Sequence, residues 1–155
     1  MKKFKSGFTL IEVSLVIVLI SIIIAITTPL AIDTVVKVDL NAAHESLYGA
    51  LLRAQKLSRI QDMGQDWKVC IDNNNKAFKI VTGECNNPDY SETLEFASHI
   101  LVTSSPSLDI SFAAIDGKPL NGSNNTSFNI TLSSRSNSKT ININEAGIIN
   151  KTVNN

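Results

Sequence analysis

The chain opens with a basic head and continues as one long apolar run. Three lysines lie within the first five residues, and residues 13–32 carry no charge. The 19 residues of Phe8–Ile26 would extend about 28 Å as a helix, which is enough to cross the hydrocarbon core of a bilayer. The sequence therefore predicts a transmembrane helix over residues 8–32 that keeps the lysines on the cytoplasmic side.

Beyond this run, apolar positions recur every three or four residues and form a single stripe. Charged residues such as Lys37, Glu45 and Arg53 occupy the other positions. This spacing predicts an amphipathic half-helix from about Asp33 to Gln61, which ends near Met63-Gly64 because glycine can adopt a left-handed cap. The stripe comprises Val36, Leu40, Ala43, Leu47, Leu51, Ala54 and Leu57.

From Trp67 onward the chain contains short β-type runs separated by Asn, Gly and Ser. Phe128, Ile130 and Leu132, for example, alternate with polar residues, which is typical of a strand with one buried face. Six or seven such strands predict an α+β fold, in which one or two antiparallel sheets pack on the helix stripe. The predicted segments are Trp67–Ile71, Ala77–Val81, Ile100–Thr103, Leu108–Phe112, Ser127–Leu132, Thr140–Asn144 and Ile148–Ile149, with a hairpin loop at 72–76 and a polar loop at 121–125.

Two features of the N-terminal region argue against an ordinary signal peptide or a simple anchor. A signal peptide has a shorter apolar region followed by a small-residue cleavage site, whereas Gly7 precedes the apolar run. Glu12 lies near the start of the run, and a carboxylate in lipid costs about 2.5–3.5 kcal/mol, which marks it as a functional residue. Cleavage after Gly7 would free an α-amino group on Phe8, and this cation could reach Glu12 of a neighbouring copy if copies packed side by side.

Residues 5–13, Lys-Ser-Gly-Phe-Thr-Leu-Ile-Glu-Val, resemble the class III signal of type IV pilins and of type II secretion pseudopilins. The resemblance implies cleavage after Gly7 by prepilin peptidase, N-methylation of Phe8, and a role for Glu12 in setting the register of subunits in a filament. Pro29 falls where these proteins carry a helix-kinking proline.

The same resemblance implies a bacterial inner-membrane protein that crosses the membrane once and holds its globular domain in the periplasm. Its implied partners are other pilins or pseudopilins, prepilin peptidase and the inner-membrane assembly platform. The chain then divides into a leader, 1–7, a transmembrane or filament-core helix, 8–32, and residues 33–155, which comprise the amphipathic half-helix and a β-rich pilin domain.

Two cysteines, Cys70 and Cys85, are present without a Cys-x-x-Cys motif or a nearby histidine that would suggest a metal site. Since the globular domain would lie in an oxidising compartment, a disulfide is expected, and two free buried thiols are the alternative. Its ring of 16 residues would contribute about 3 kcal/mol. The bond would staple the open end of the hairpin whose strands begin at Trp67 and Ala77.

The charge distribution gives no sign of a polyanion partner. The chain has 14 basic and 14 acidic residues, and loss of the three leader lysines leaves 11 against 14, a net charge of −3. This balance argues against a general nucleic-acid surface. The two histidines, His44 and His99, accompany no nucleophile motif and no glycine-rich phosphate loop. The sequence therefore predicts a protein that is not an enzyme and that holds no cofactor or metal.

Further segments of the globular part carry a second resemblance. They are Arg53–Lys56, Val69–Cys70, Ile110–Phe112 with Gly117, Phe128–Leu132, and Ile141–Asn144 with Gly147. In this order they are similar to the GspH/FimT group of minor pseudopilins and pilins, which implies assembly near a filament tip. Some FimT-type proteins are implicated in DNA uptake through a C-terminal segment with arginine. The matching stretch here has only Lys151, and with Arg135 and Lys139 it forms a small basic cluster, so nucleic-acid binding is not expected.

Three hypotheses about function follow. The first is a minor pseudopilin or pilin that assembles through its N-terminal helix into a periplasmic filament or tip complex. The second is a binding module on the same scaffold that recognises DNA or a secreted substrate. The third is a bitopic periplasmic protein that never assembles.

Overall fold

The computed structural model describes residues 8–60 and 65–152, with the side chains of residues 26–31 excepted. The predicted cleavage residue Gly7 and the predicted helix stop Met63-Gly64 lie outside the described residues, as does the side chain of Pro29. By its internal packing the chain divides into two units, Met1–Val36 and Lys37–Asn155.

A single helix, α1, spans Leu10–Arg59 and takes in 50 residues. It includes nearly all of the two helical segments that the hydrophobic pattern predicts. In the first unit, every side chain from Leu10 to Ala25 is exposed. Since this part of the helix is apolar on all sides, it has no single apolar stripe that would pack against a core.

In the second unit, α1 is buried along one stripe. Leu47, Leu51 and Ala54 are inaccessible to solvent, while Arg53 on another side of the helix is exposed. The predicted amphipathic stripe is confirmed, except that Leu57 is only half-buried. The buried apolar residues of α1 in this unit are Leu40, Ala43, Leu47, Ala50, Leu51 and Ala54, and Val36 of the first unit is buried as well.

Within residues 65–152 the chain forms ten strands. They are β1 (Trp67–Asp72), β2 (Ala77–Glu84), β3 (Asn87–Glu95), β4 (Leu101–Ser105), β5 (Asp109–Phe112), β6 (Pro119–Asn121), β7 (Asn124–Asn125), β8 (Phe128–Ser134), β9 (Asn137–Ile143) and β10 (Ile149–Thr152). Sheet A has the order β3-β2-β1-β5-β6-β7 and sheet B the order β10-β9-β8-β4. Every neighbouring pair is antiparallel.

One apolar core joins the stripe of α1 to the inner faces of both sheets. In sheet A, Val69 is in register with Ile80 on one side and Ile110 on the other, and in sheet B Ile130 is in register with Ile141. All five side chains are almost completely buried. The predicted α+β architecture, a helix packed on antiparallel sheet, is confirmed.

The sequence missed three strands, β3, β6 and β7. The sequence of β3, Asn-Pro-Asp-Tyr-Ser-Glu-Thr-Leu-Glu, has no apolar alternation, because this edge strand is held mainly by backbone pairing with β2. The segment 121–125, predicted as a polar loop, instead contributes Asn121 and Asn124–Asn125 to the β6–β7 hairpin. Strands of two or three residues are too short to show a hydrophobic pattern.

The turn between β1 and β2 links the two sheets. The side-chain amide of Asn73 donates to Val102 O at 2.7 Å, and Val102 N donates to Asn73 Oδ1 at 3.0 Å. This amide therefore occupies the place of a neighbouring strand beside β4. Backbone N–H groups of Asn74 and Asn75 donate to the Asp72 carboxylate. The Asn75 backbone N–H above all, and then the Asn75 and Lys79 side chains, hold the pKa of Asp72 far below its usual value.

Candidate assembly site

The first turn of α1 contains the residues that the leader motif singled out. Thr9 caps the helix, since Glu12 N donates to Thr9 O at 3.1 Å and to Thr9 Oγ1 at 3.3 Å. Thr and Glu three residues apart are the pair found in capping boxes. The cap starts the helix at Leu10, so Phe8 stands just outside it with 82% of its surface exposed. Glu12, which is also exposed, lies one turn further on.

The exposed part of α1 that follows is almost uniformly aliphatic. Ser14 and Ser21 are the hydroxyl-bearing residues within Leu10–Ala25, and each donates its hydroxyl back to the helix, to Ile11 O at 2.9 Å and to Ile17 O at 2.7 Å. These polar groups therefore need no partner from outside the helix, which suits apolar surroundings. Glu12 is the one charged side chain in this stretch.

No helix within residues 8–60 and 65–152 is long and apolar enough to cross a membrane. The transmembrane segment expected at 8–32 stays a prediction.

The two cysteines are joined in a disulfide, with their Cα atoms 5.9 Å apart. The expected position of the bond, at the open end of the β1–β2 hairpin, is wrong. That open end is the Trp67–Thr82 pair, whereas Cys70 lies at the middle of β1. A bulge between Thr82 and Gly83 redirects the end of β2, so that Cys85 comes back over β1. The bond thus anchors the β2–β3 turn to the centre of sheet A.

The C-terminal end of α1 is held by a polar junction, which we define as Gln55, Ser58, Arg59, Gly117 and Gly147. The buried amide of Gln55 donates to Gly117 O at 2.9 Å and to Gly147 O at 2.6 Å. Ser58 Oγ accepts from Trp67 N at 3.0 Å, and Arg59 Nε donates to Asp116 O at 3.3 Å. The junction brings together three of the separate segments that carried the second resemblance.

Both glycines of the junction are needed for close approach. Gly147 has a φ of 81°, and a Cβ there would lie 2.8 Å from Gly117 O. Gly117 has a φ of 66°, and a Cβ there would collide with the Arg59 side chain. A side chain larger than hydrogen would strain either turn and separate it from α1.

A turn next to the junction holds a strained residue. Ile115 has a φ of 76°, and a β-branched residue in this left-handed region is an outlier that costs about 1–3 kcal/mol. The turn is fixed on several sides. Ile115 N donates to Ser58 O at 3.3 Å, Gly117 N to Ala113 O at 3.0 Å, and Ala114 N to Asp66 Oδ1 at 3.1 Å.

The predicted basic cluster is partly occupied by contacts within the domain. Lys151 is hydrogen-bonded to the Glu45 carboxylate, and its Nζ lies 4.2 Å from the ring centroid of Tyr48. This contact lowers the pKa of Glu45. Arg135 is exposed and Lys139 is half-buried. The sequence-based expectation that nucleic acid is not a partner stays a prediction.

The two histidines lie in different settings. His44 belongs to the buried face of α1, is 1% exposed, and has no hydrogen-bond partner for either ring nitrogen among the described residues. Burial, together with the nearby charges of Lys139 and Lys151, lowers the pKa of His44. His99 Nε2 lies 3.6 Å from Asp39 Oδ2 at the surface.

Comparisons with known proteins agree with both parts of the chain. The family model described as the prokaryotic N-terminal methylation motif matches residues 2–28. The minor type IV pilin FimU of Pseudomonas aeruginosa is structurally similar, with a TM-score of 0.57 at 14% identity over 74% of this chain and 93% of FimU. Two structures of the minor pseudopilin EpsH from the type II secretion system of Vibrio cholerae are also similar. Their TM-scores are 0.54 and 0.55 at 13% and 12% identity, over 74% and 76% of this chain and 96% and 97% of EpsH. No curated protein sequence matches the chain.

Proposed function

We propose that this chain, which is a type IV pilin-like protein by its N-terminal methylation motif and its pilin fold, works as a minor subunit of a type IV pilus or of a type II secretion pseudopilus. In this role the precursor is inserted in the inner membrane by residues 8–32 and cleaved after Gly7 by prepilin peptidase. The new N-terminus at Phe8 is methylated. The subunit is then packed into a periplasmic filament or tip complex through its helix.

The observation that carries this proposal is the exposure of α1 on all sides between Leu10 and Ala25. Soluble monomers rarely expose apolar patches of more than a few hundred Å², and larger ones mark contact with a membrane or with protein. An apolar surface on all sides of the helix can contact lipid before assembly and a bundle of other helices afterwards. No part of the described chain folds back to cover it.

Glu12 supplies the specificity that a uniformly aliphatic helix lacks. Aliphatic surfaces slide past one another with little preference for register, because dispersion and burial are not directional. A carboxylate in the first turn of α1 has one favourable position, beside the free α-amino group of Phe8 on a neighbouring subunit. Two charges in dry surroundings attract strongly, and this attraction offsets the desolvation of both groups.

Processing provides the first test of the proposal. Gly7→Val adds a branched side chain at the position that must enter the peptidase, so the precursor should accumulate uncut. Gly49→Val is the matched control, because a Cβ at Gly49 meets nothing within 4 Å. Intact-mass measurement of membrane-extracted protein gives the result. A wild-type protein that still begins at Met1 would refute the proposal.

Register provides the second test. Glu12→Gln keeps the shape of the side chain but removes its charge, so cleavage should continue while incorporation into the filament falls. Glu84→Gln, at an exposed acid in the globular unit, is the control and should assemble like wild type. Incorporation is measured by cysteine or photo-crosslinking to the other pilin-like subunits in cells. If Glu12→Gln crosslinks as efficiently as wild type, Glu12 does not set the register.

A further inference from the structure

We propose that an aliphatic patch at the C-terminal end of α1, formed by Ile60, Ile115 and Ile148, docks the globular domain of a neighbouring pilin-like subunit in the assembled filament. This inference rests on the proposed function and adds to it a second contact, made by the globular unit. Ile115 is the most exposed of the three. The three isoleucines are exposed to 62%, 72% and 55% respectively.

The three residues belong to segments that meet at the polar junction. Ile60 directly follows Arg59, Ile148 directly follows Gly147, and Ile115 N donates to Ser58 O at 3.3 Å. Gly147 in turn lies against Gly117 O and the Gln55 amide. Three chain segments that are distant in sequence therefore each place an exposed isoleucine beside the same helix end.

The backbone at Ile115 argues that its exposure serves a purpose. Glycine or asparagine would adopt a φ of 76° easily, whereas a β-branched residue there is strained. The turn holds this conformation through its own hydrogen bonds and through those that its backbone N–H groups donate to Asp66 and Ser58. Strain that gains nothing for the isolated domain is typical of sites that act on something else. A rigid turn also loses little entropy when its side chain is buried by a partner.

The surroundings of the patch have the composition of a protein interface. Charged residues adjoin the isoleucines in sequence: Arg59 precedes Ile60, and Asp116, which follows Ile115, is paired with Lys118 at an Nζ–Oδ2 distance of 3.1 Å. An apolar centre with a charged rim is the usual arrangement of protein–protein contacts. A nucleic acid or an anionic lipid surface would instead require unpaired cations.

The size of the patch selects the partner. A stable interface buries about 800 Å² on each side, which is more than three partly exposed isoleucines can supply. A freely diffusing protein would therefore not stay bound. A subunit already held beside this one by helix packing is present at an effective concentration of about the millimolar range, where a weak second contact is sufficient. The occupant is therefore a co-assembled pilin-like subunit.

Photo-crosslinking in the full-length protein tests the contact. A benzophenone amino acid replaces Ile115, Leu101 or Leu19 in separate variants, and adducts are identified by mass spectrometry in the native membrane and filament fraction. Leu101, an exposed aliphatic residue on β4, is the background control, and Leu19 on the exposed part of α1 reports helix-mediated assembly. We expect adducts with another pilin-like subunit at position 115, several-fold above position 101.

A second pair of variants separates docking from folding. Ile115→Gly and Ile115→Asn relieve the backbone strain, so the melting temperature of the full-length protein in detergent should stay the same or rise while incorporation into filaments falls several-fold. Leu101→Asn should change neither quantity. A purely structural role for Ile115 would instead lower the melting temperature.

The failures can be told apart. Adducts at position 19 with none at position 115 above background, or normal incorporation of Ile115→Asn, would overturn the docking site and leave the proposed function intact. Adducts at position 115 only with an unrelated soluble protein would also overturn it. Loss of adducts at both positions in a processed, folded protein would overturn the docking site and the proposed function together.

Discussion

The two segments of α1, Leu10–Ala25 and Lys37–Arg59, are both α-helical, but only the second buries its apolar residues within this chain. In the first segment all side chains are exposed, and aliphatic residues occupy every side of the helix. In the second, a stripe of six apolar residues enters the core of the globular unit and charged residues occupy the remaining faces. The comparison shows that a helix can form in this chain without burial of its side chains by the rest of the chain. The chain buries apolar residues by itself only in the second segment, whereas under the proposed function lipid or other subunits cover the first.

Matched Leu→Ala variants should separate the two segments most clearly. Leu51→Ala, in the buried stripe, should lower the free energy of unfolding of the globular unit by about 2–5 kcal/mol, because it removes packed atoms and leaves a cavity. Leu19→Ala, at an exposed position, should change it by less than about 0.5 kcal/mol. Trp67, the one tryptophan, is 2% exposed in the core and reports this unfolding by fluorescence in full-length protein in detergent. Equal losses in the two variants would contradict the comparison.

Removing the disulfide should have the next largest effect on stability. This effect should be confined to the globular unit, in which the second segment is buried. Cys70→Ser with Cys85→Ser frees a loop with a sequence separation of 15 residues, so the unfolding free energy should fall by about 3 kcal/mol. Urea unfolding with and without reductant measures it. Reductant should destabilise the wild type and leave the double variant unchanged. Full stability of the reduced wild type would refute a stabilising role for the bond.

A pair of Gly→Ala variants should show that the second segment is also fixed at its end. Gly147→Ala should destabilise the globular unit by about 1–3 kcal/mol, because its φ is positive and the new methyl group meets Gly117 O. Gly49→Ala, in the middle of α1 with open space around it, should stabilise by about 0.8–1.0 kcal/mol. Thermal unfolding compares them. Unchanged or raised stability of Gly147→Ala would show that the junction is not needed to position α1.

The smallest expected effect is a pH dependence from the buried face of α1. The pKa of His44 is lowered in the folded state by burial, so the unfolded chain binds this proton more readily. Stability should therefore fall as the pH drops below the unfolded value of 6.5. His44→Leu removes this contribution, so the slope of the unfolding free energy between about pH 5 and 7.5 should be smaller than in wild type. Parallel slopes in the two proteins would exclude His44 as a source of the pH dependence.

Sequence patterns predicted the helices and strands in which residues at a regular spacing along the chain all face the core. The spacing of Leu40, Leu47 and Leu51 predicted the buried stripe, since side chains three or four residues apart lie on one face of a helix. The alternation in Phe128–Leu132 predicted β8 for the corresponding reason. Strand β3 was missed because its edge position requires backbone pairing but few apolar side chains.

The polar junction could not be derived from local pattern. Gln55, Gly117 and Gly147 come from three distant segments, and only the fold brings them together. All three residues belong to the segments that resemble known minor pilins, but the resemblance gives no physical reason for them. The structure supplies that reason, because the glutamine side chain bridges two carbonyl groups in turns that only glycine can form without strain. The strained conformation of Ile115 left no signal in the sequence at all.

The amide of Asn73, which pairs with both backbone groups of Val102, has a consequence for how copies of this chain behave at high local concentration. Sheets with free borders recruit one another when many copies stand close together, and the outcome is irreversible fibril growth. Here a side chain occupies one border of sheet B, and Asp89, Glu92 and Glu95 place like charges along β3 at a border of sheet A. These borders therefore resist recruiting one another wherever copies of this chain come close together.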